Sequence, residues 1–330
     1  MKLFITHDSA LAYWQSAYCR RTATNAYWKH LPSLPLARET IDFELLTRRG
    51  IGVSPLHITV GKHEQLIRRQ NIKAHTMEGP VLSGSFEPLP SLAGPLNRDI
   101  QVATPELAFC QTALRREFAE TVLTGYELCA GYRKNPFTGD ADKRDPLTTA
   151  RALQEYAARY GDQPGAKAAR RAARYVCPGK AASPMEVALA MLLTLPRMEG
   201  GYGLPLATLN GEVIIPGRDR KADFLAYHGD LVWPEQRLVV EYDSNLYHRD
   251  PAQLAIDAER RNAMQDAGWR VATITWSQVL NPGKMDIAAA QLARALGVKN
   301  GYLALHTPER RAALRKLVLP PEMQPSNPVM

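Results

Sequence analysis

Apolar and polar positions fall into three regimes along the chain. Through residues 1–103 the apolar residues come in short runs broken by Pro and Gly. The runs Leu56–Val60 (Leu-His-Ile-Thr-Val) and Ile100–Ala103 read as strands, and the spacing predicts helices over 9–18 and 62–70. A small mixed α+β or β-rich domain is the expectation for 1–103. At Thr104-Pro105-Glu106 the pattern changes, with Thr as N-cap and Pro at the first helical position. Helical periodicity follows to Cys129 and resumes over 148–160, on either side of a turn-rich stretch at 134–145. Residues 104–180 are therefore read as a helical, basic middle domain.

The third regime, 181–298, reads helix, strand, strand, strand, helix, strand, helix. Helix is expected over 183–195, strands over 212–215, 222–227 and 238–242, and a second helix over 251–267, closed by Gly268. A strand over 269–276 and a helix over 285–296 complete it. This order predicts an α/β unit in which three meandering strands and a crossover strand share one mixed sheet flanked by helices. Residues 299–330 are left as a C-terminal tail, and no internal repeat is present.

Composition narrows the class. With 330 residues, 45% hydrophobic and 22% charged, the chain has the apolar surface that a disordered protein lacks. The longest uninterrupted apolar stretch, 187–193, is far short of the roughly 20 residues that span a bilayer. Lys2 and Asp8 leave no secretory apolar region at the start, so a cytoplasmic location is expected. Cys19, Cys110, Cys129 and Cys177 are too widely spaced to share a zinc ion in the usual short motifs and are expected to be reduced.

The net charge of +8 is unevenly placed: acids outnumber Lys and Arg over 181–298, and the basic excess lies outside it. A basic body beside an acid-rich segment suits a polyanion-binding protein with a cation-requiring site. Residues 163–185 contain no acid, while Lys167, Arg170, Arg171, Arg174 and Lys180 are positive. On a helix over 166–176 the arginines lie close together and can grip successive phosphates, or else form a solvated face.

Carboxylates mark the third regime. Asp223 lies on the second expected strand, and Glu241 and Asp243, two apart at the end of the third, emerge on one face. If the two strands are antiparallel neighbours, these acids approach closely enough to share a hard cation, Mg2+ or Mn2+, which relieves their mutual repulsion. The structural alternative for Asp223 is an ion pair with Arg220 or Arg237. Glu186 follows Ser183 at capping-box spacing, and Asp257 and Arg260 can pair along their helix. His57, His63 and His75 have no spacing that gathers them into a metal set, and they are read as unconnected.

Glu186, the strand Lys221-Ala222-Asp223-Phe224, the strand ending Glu241-Tyr242-Asp243, His248, and Asp257 with Arg260 before Ala267-Gly268-Trp269 together resemble the very-short-patch-repair-like branch of the PD-(D/E)XK nucleases. The resemblance covers about 181–282. It implies a restriction-endonuclease-like fold, and a metal site to which Glu186, Asp223, Glu241 and Asp243 correspond, with His248 as the histidine that follows. Asp243 stands where the wider superfamily has Lys, as is common in this branch, and Ser244 stands where glycine is usual. The N-terminal part is loosely similar to abortive-infection-type regulators through 55–60 and 102–106.

Two readings follow. One is a Mg2+-dependent DNA endonuclease in which Asp223, Glu241 and Asp243 hold the metal, His248 or Asp243 relays a proton, and Lys167, Arg170, Arg171, Arg174 and Arg260 contact DNA. The other is a non-catalytic DNA-binding or antitoxin-like regulator that keeps the nuclease fold. RNA as the substrate is a third, weaker reading. No membrane partner is expected.

Overall fold

The structure, a computed structural model, describes residues 3–17, 19, 31, 41–63, 66, 68–78, 81–89, 100–134, 141–217, 224–243, 251–298 and 308–320. The chain divides into two compact units, Met1–Cys129 with Arg133–Arg174, and Ala130–Tyr132 with Tyr175–Met330. Among the described residues no helix is long and apolar enough to cross a membrane.

The first unit is built on a six-stranded mixed sheet. Its strands are β1 (Leu3–Ile5), β2 (Leu56–Val60), β3 (Arg68–Arg69), β4 (Ile72–Thr76), β5 (Phe86–Pro88) and β6 (Ile100–Ala103), in the order β3-β4-β2-β1-β6-β5. Two of the pairings are parallel, β2 with β4 and β1 with β6. Helices α1 (His7–Gln15), α2 (Phe43–Arg48), α3 (Pro105–Thr112), α4 (Phe118–Cys129), α5 (Ala150–Arg159) and α6 (Ala166–Ala173) complete the unit. The short strands β7 (Tyr132–Lys134) and β8 (Ala141–Lys143) pair with each other.

Phe4, Ile5, Ile58, Phe86 and Val102 of the sheet are fully buried, and the indole of Trp14 on α1 donates to Ala103 O at 2.7 Å. This packing explains why 1–103 and the helical segment belong to one unit although their sequence patterns differ. A sheet buries an apolar face only against another layer, and β6 runs through the Thr104 cap directly into α3. Within the stretch where a helix is expected, 62–70, the described residues Arg68–Arg69 are instead an edge strand, antiparallel to β4. The pairing is a tight hairpin, with Arg69 opposite Ile72 across the turn at Gln70 and Asn71, so local turn formation wins over the helical pattern there.

The second unit begins with α7 (Pro184–Thr194), capped by Ser183 and with Pro184 at its first position. From Glu186 to Thr194 every residue is buried, as expected for a helix apolar on all sides. The strands β9 (Thr208–Pro216), β10 (Phe224–Trp233) and β11 (Leu238–Asp243) form an antiparallel meander. Helix α8 (Pro251–Asp266) then leads to β12 (Arg270–Thr275), which is parallel to β11, so the sheet order is β12-β11-β10-β9. The α-β-β-β-α-β succession and the mixed sheet read from the sequence are thus present. Val213, Ile215, Val232, Val239 and Met264 form the core between this sheet and α8.

Helices α9 (Trp276–Leu280) and α10 (Pro282–Ala295) follow. Residues read as a tail contain α11 (Pro308–Val318), which belongs to the same unit. Arg311 pairs with Asp286, and Arg315 donates to the carbonyls of Val279 and Leu280. Gly200, at φ +90°, lets the backbone of α11 approach so closely that a Cβ there would lie 2.4 Å from Arg310 O.

Candidate active site

Strand register gathers the polar residues of the second unit into one row. Leu231 pairs with Val240 across β10 and β11, and just beyond that pair Asp230 Oδ2 accepts from the Tyr242 amide at 2.7 Å, which brings Asp230 near Glu241. On the other side Gly229–Gly211 and Leu231–Leu209 bracket Asp230 and Asn210, and Glu241 lies opposite Thr273 of β12. Period-two alternation puts Glu241 on the face of Val239, which α8 covers, while Asp230 turns a carboxylate oxygen to the Tyr242 amide. From α8, Arg260 donates to Glu241 Oε1 and to the carbonyl of His228.

Asn210 holds the left-handed φ of +45°, a conformation asparagine tolerates better than most residues. Its amide donates to Glu186 Oε2 at 2.6 Å and to the carbonyl of Lys180 at 2.9 Å. Glu186 also accepts from the Ala182 amide at 2.7 Å and from the Ser183 hydroxyl at 3.0 Å, while its own amide donates to Ser183 Oγ. The carboxylate at the start of α7 is therefore a satisfied capping group as well as a source of negative field.

That field is felt at Asp230. Burial lifts its pKa from 3.8 to about 6 and the charge of Glu186 adds to the effect, against the Tyr242 amide, which donates to Asp230 Oδ2 at 2.7 Å, and Arg260. Glu241 is also raised, first by burial and then by Asp230 and Asp257, with Arg260 and Arg261 opposing. Carboxylates crowded on a half-buried face are costly to ionise without a cation, and here Arg260 supplies one. Among the described residues the Nε–H groups of Arg260 and Arg261 and the hydroxyl of Tyr242 are buried without a hydrogen-bond partner. Buried donors of this kind call for an acceptor.

Of the residues singled out from the sequence, Glu186, Glu241, Asp243 and Arg260 are described, and Asp223 and His248 lie outside the described residues. The structure sets Glu241 and Arg260 together, places Glu186 within electrostatic reach of Asp230, and leaves Asp243 half-buried at the end of β11. The carboxylate that β10 brings to Glu241 is Asp230. Phe224, where β10 begins, is six residues further along, about 20 Å at the usual rise of a strand. Lys167, Arg171 and Arg174 are exposed on or just after α6, and Arg170 is half-buried with its guanidinium on the carbonyl of Gly161 at 2.7 Å.

The first unit corrects the reading of its histidines. Among the described residues one group of three potential ligands lies within the reach of a single ion: His7, His57 and His75, whose ligand atoms all fall within 4.8 Å of one another. Parallel pairing of β2 with β4 puts His75 opposite Thr59, two residues from His57, so both side chains share a face. His7 arrives from the start of α1, whereas His63 is exposed and outside the group. No three described carboxylates converge as tightly.

No family model matches the chain, and no solved structure matches it. Two proteins of Mycobacterium tuberculosis, one from strain CDC 1551 / Oshkosh and one from strain ATCC 25618 / H37Rv, are each 31% identical to it over 129 residues. Both are described as uncharacterized. The matched segment is 38% of this chain, and the chain spans 42% of the length of these relatives.

Proposed function

We propose that this chain is a metal-dependent DNA endonuclease that uses Mg2+ or Mn2+ to hydrolyse phosphodiester bonds, with Asp230 and Glu241 as the strand pair that holds the cation. The observation that carries the reading is the end of the β10–β11 pairing, where these two carboxylates lie close enough to interact and both have raised pKa values. The α-β-β-β-α-β order supports the likeness to the PD-(D/E)XK nucleases, as does Glu186 at the start of α7.

The donor set suits a hard divalent ion, since it offers carboxylate oxygens without sulfur and a surplus of negative charge. When bound, such an ion polarises the phosphoryl group and lowers the pKa of a coordinated water. The chain's own residues do the rest. Asn210 and the Ala182 amide hold Glu186 so that its charge bears on Asp230. Arg260 and Arg261 set positive charge beside Glu241, which favours a phosphate next to the carboxylates. Burial and Glu186 raise Asp230 to about 6 without a cation, and a bound divalent ion would relieve that charge. His248 or Asp243 would relay the proton, as the endonuclease reading of the sequence expects.

The runner-up, a non-catalytic DNA-binding regulator, draws on a different observation: Arg260 already neutralises Glu241, so the face stands without a metal. Supercoiled plasmid incubated with the purified full chain and Mg2+ or Mn2+, with EDTA as control, separates the two. Nicking should fall by more than about 100-fold in Asp230→Asn and in Glu241→Gln, the scale of losing one transition-state electrostatic contact. Wild-type rates in both variants end the catalytic reading. Plasmid binding without cleavage by the wild type favours the regulator.

A further inference from the structure

We propose that His7, His57 and His75 form a binding site for a divalent transition metal of the zinc class, separate from the carboxylate row and independent of the nuclease reading. His75 Nε2 and His57 Nδ1 are 3.1 Å apart. Two nitrogen ligands on a tetrahedral zinc ion at 2.0–2.1 Å stand about 3.3 Å from each other, so replacing the shared proton by the ion requires only a small separation of the rings. The third ligand atom is within 4.8 Å of both.

The fold fixes each ring from outside the cluster. His57 N donates to Ser9 Oγ at 2.8 Å, and His7 N donates to Gln111 Oε1 at 3.2 Å. His7 takes a left-handed φ of +52° at the head of α1, a backbone state that costs energy in a non-glycine residue and persists only where its surroundings enforce it. Its Nδ1 lies 3.0 Å from Thr6 Oγ1, which in turn accepts from Thr59 Oγ1 at 2.9 Å. With Nδ1–H donating to Thr6, Nε2 is left as the ligand, the second-shell arrangement that orients metal-binding imidazoles. In the metal-free packing the His7 ring stacks on His75 at 3.6 Å and 16°. Parallel rings cannot both aim lone pairs at one ion, so binding tilts the His75 ring, whose contact with His57 the ion replaces, about χ2, a torsion with broad minima.

The cluster is also chemically ready. Burial, then the neighbouring imidazoles, with Arg115 and Lys73 beside them, hold His7 at about 2 and His75 at about 4, and burial lowers His57. Asp8 opposes the shift at His57 and His75. The imidazoles are uncharged at neutral pH, and the proton between His75 Nε2 and His57 Nδ1 must leave that contact, by a change of tautomer, for both nitrogens to face one ion. Three nitrogen ligands leave a fourth position for water, as in hydrolytic zinc sites.

The test uses the full chain made without a histidine tag, in the Asp230→Asn background so that the carboxylate row does not compete. Titration with Co2+ should give one equivalent of a visible absorption band typical of nitrogen-ligated, four- or five-coordinate cobalt, which Zn2+ then displaces. Affinity should fall by more than about 10-fold in His57→Asn and in His75→Asn, and stay unchanged in His63→Asn. Should a variant fail to fold, the parent chain decides: one equivalent of Zn2+ must shift the imidazole proton resonances of His7, His57 and His75 but not that of His63. Absence of the cobalt band, equal affinity in folded cluster variants, or unmoved cluster resonances would each reduce the three residues to a hydrogen-bonded histidine cluster.

Discussion

In the first unit three imidazoles are packed together and kept neutral, whereas in the second Asp230 and Glu241 are packed together beside Arg260 and the charge of Glu186. Burial acts on both groups in the same sense, against the charged form, yet the consequences are opposite. A neutral imidazole keeps its ligand lone pair and costs little while the surroundings stay above its pKa. A raised carboxylate stays unsettled until a proton or a cation arrives. The comparison predicts that acid loosens one region and relaxes the other.

The largest expected effect is this divergence. His7 and His75 have folded pKa values of about 2 and about 4, below the ordinary 6.5. Their stabilisation is present above pH 6.5 and is lost as pH falls, because the unfolded chain takes up protons that the folded one refuses. Between pH 6.5 and 4, His7 alone accounts for on the order of 3 kcal/mol. Asp230 is raised from 3.8 to about 6, so its contribution is present below about pH 3.8 and is lost as pH rises through 6. Native-state hydrogen exchange, corrected for intrinsic rates, should show protection of β2 and β4 falling and that of β10 and β11 holding or rising from pH 6.5 to 4. Parallel loss in both sheets would break the comparison.

A second, smaller effect sharpens it. Asp230→Asn keeps an oxygen to accept from the Tyr242 amide and removes the group that burial and Glu186 oppose. At pH 8 without metal the second unit should gain about 1 to 3 kcal/mol, the linkage value of the shift. On the proposed function millimolar Mg2+ should stabilise the wild type, and this variant should lose that gain. A variant less stable than the wild type at pH 8 would show that the carboxylate is not strained. In that case the raised pKa would have no functional meaning.

What the sequence disclosed and withheld follows the same division. Leu56–Val60 and Ile100–Ala103 form strands with the expected bounds, and the element order of 181–298 is present, because hydrophobic period and caps are local properties. Asp230 lies beyond the strand that the pattern predicts over 222–227, because β10 runs on through Gly229 to Trp233. Counting back from the Trp233–Leu238 pair through the Pro234–Arg237 turn would have placed Asp230 near Glu241. Nothing comparable was available for the histidines. Their meeting depends on a parallel β2–β4 pairing and on the entry angle of α1, and neither leaves a local pattern. Asn210 is a similar case, since its role rests on a left-handed backbone inside a strand.

The smallest expected effect concerns which region DNA touches. On α6 the buried side is Ala166, Ala169, Ala172 and Ala173, which turns Lys167, Arg171 and Arg174 outward. Arg171 lies over the Phe118 ring at 4.1 Å, which holds its guanidinium extended without removing its charge. Arg170 instead donates to the Gly161 carbonyl, so its substitution should cost stability rather than phosphate contacts. Each lost phosphate contact lowers the slope of log affinity against log salt by about 0.9 for duplex DNA. Arg171→Ala with Arg174→Ala should therefore flatten the slope by about two units and weaken all sequences alike, while Arg170→Ala leaves the slope nearly unchanged. Arg261→Ala provides the counterpart on α8. If the slope responds there and not on α6, DNA is held by the carboxylate unit alone, and the exposed basic face of α6 is a solvated surface of the histidine-bearing unit.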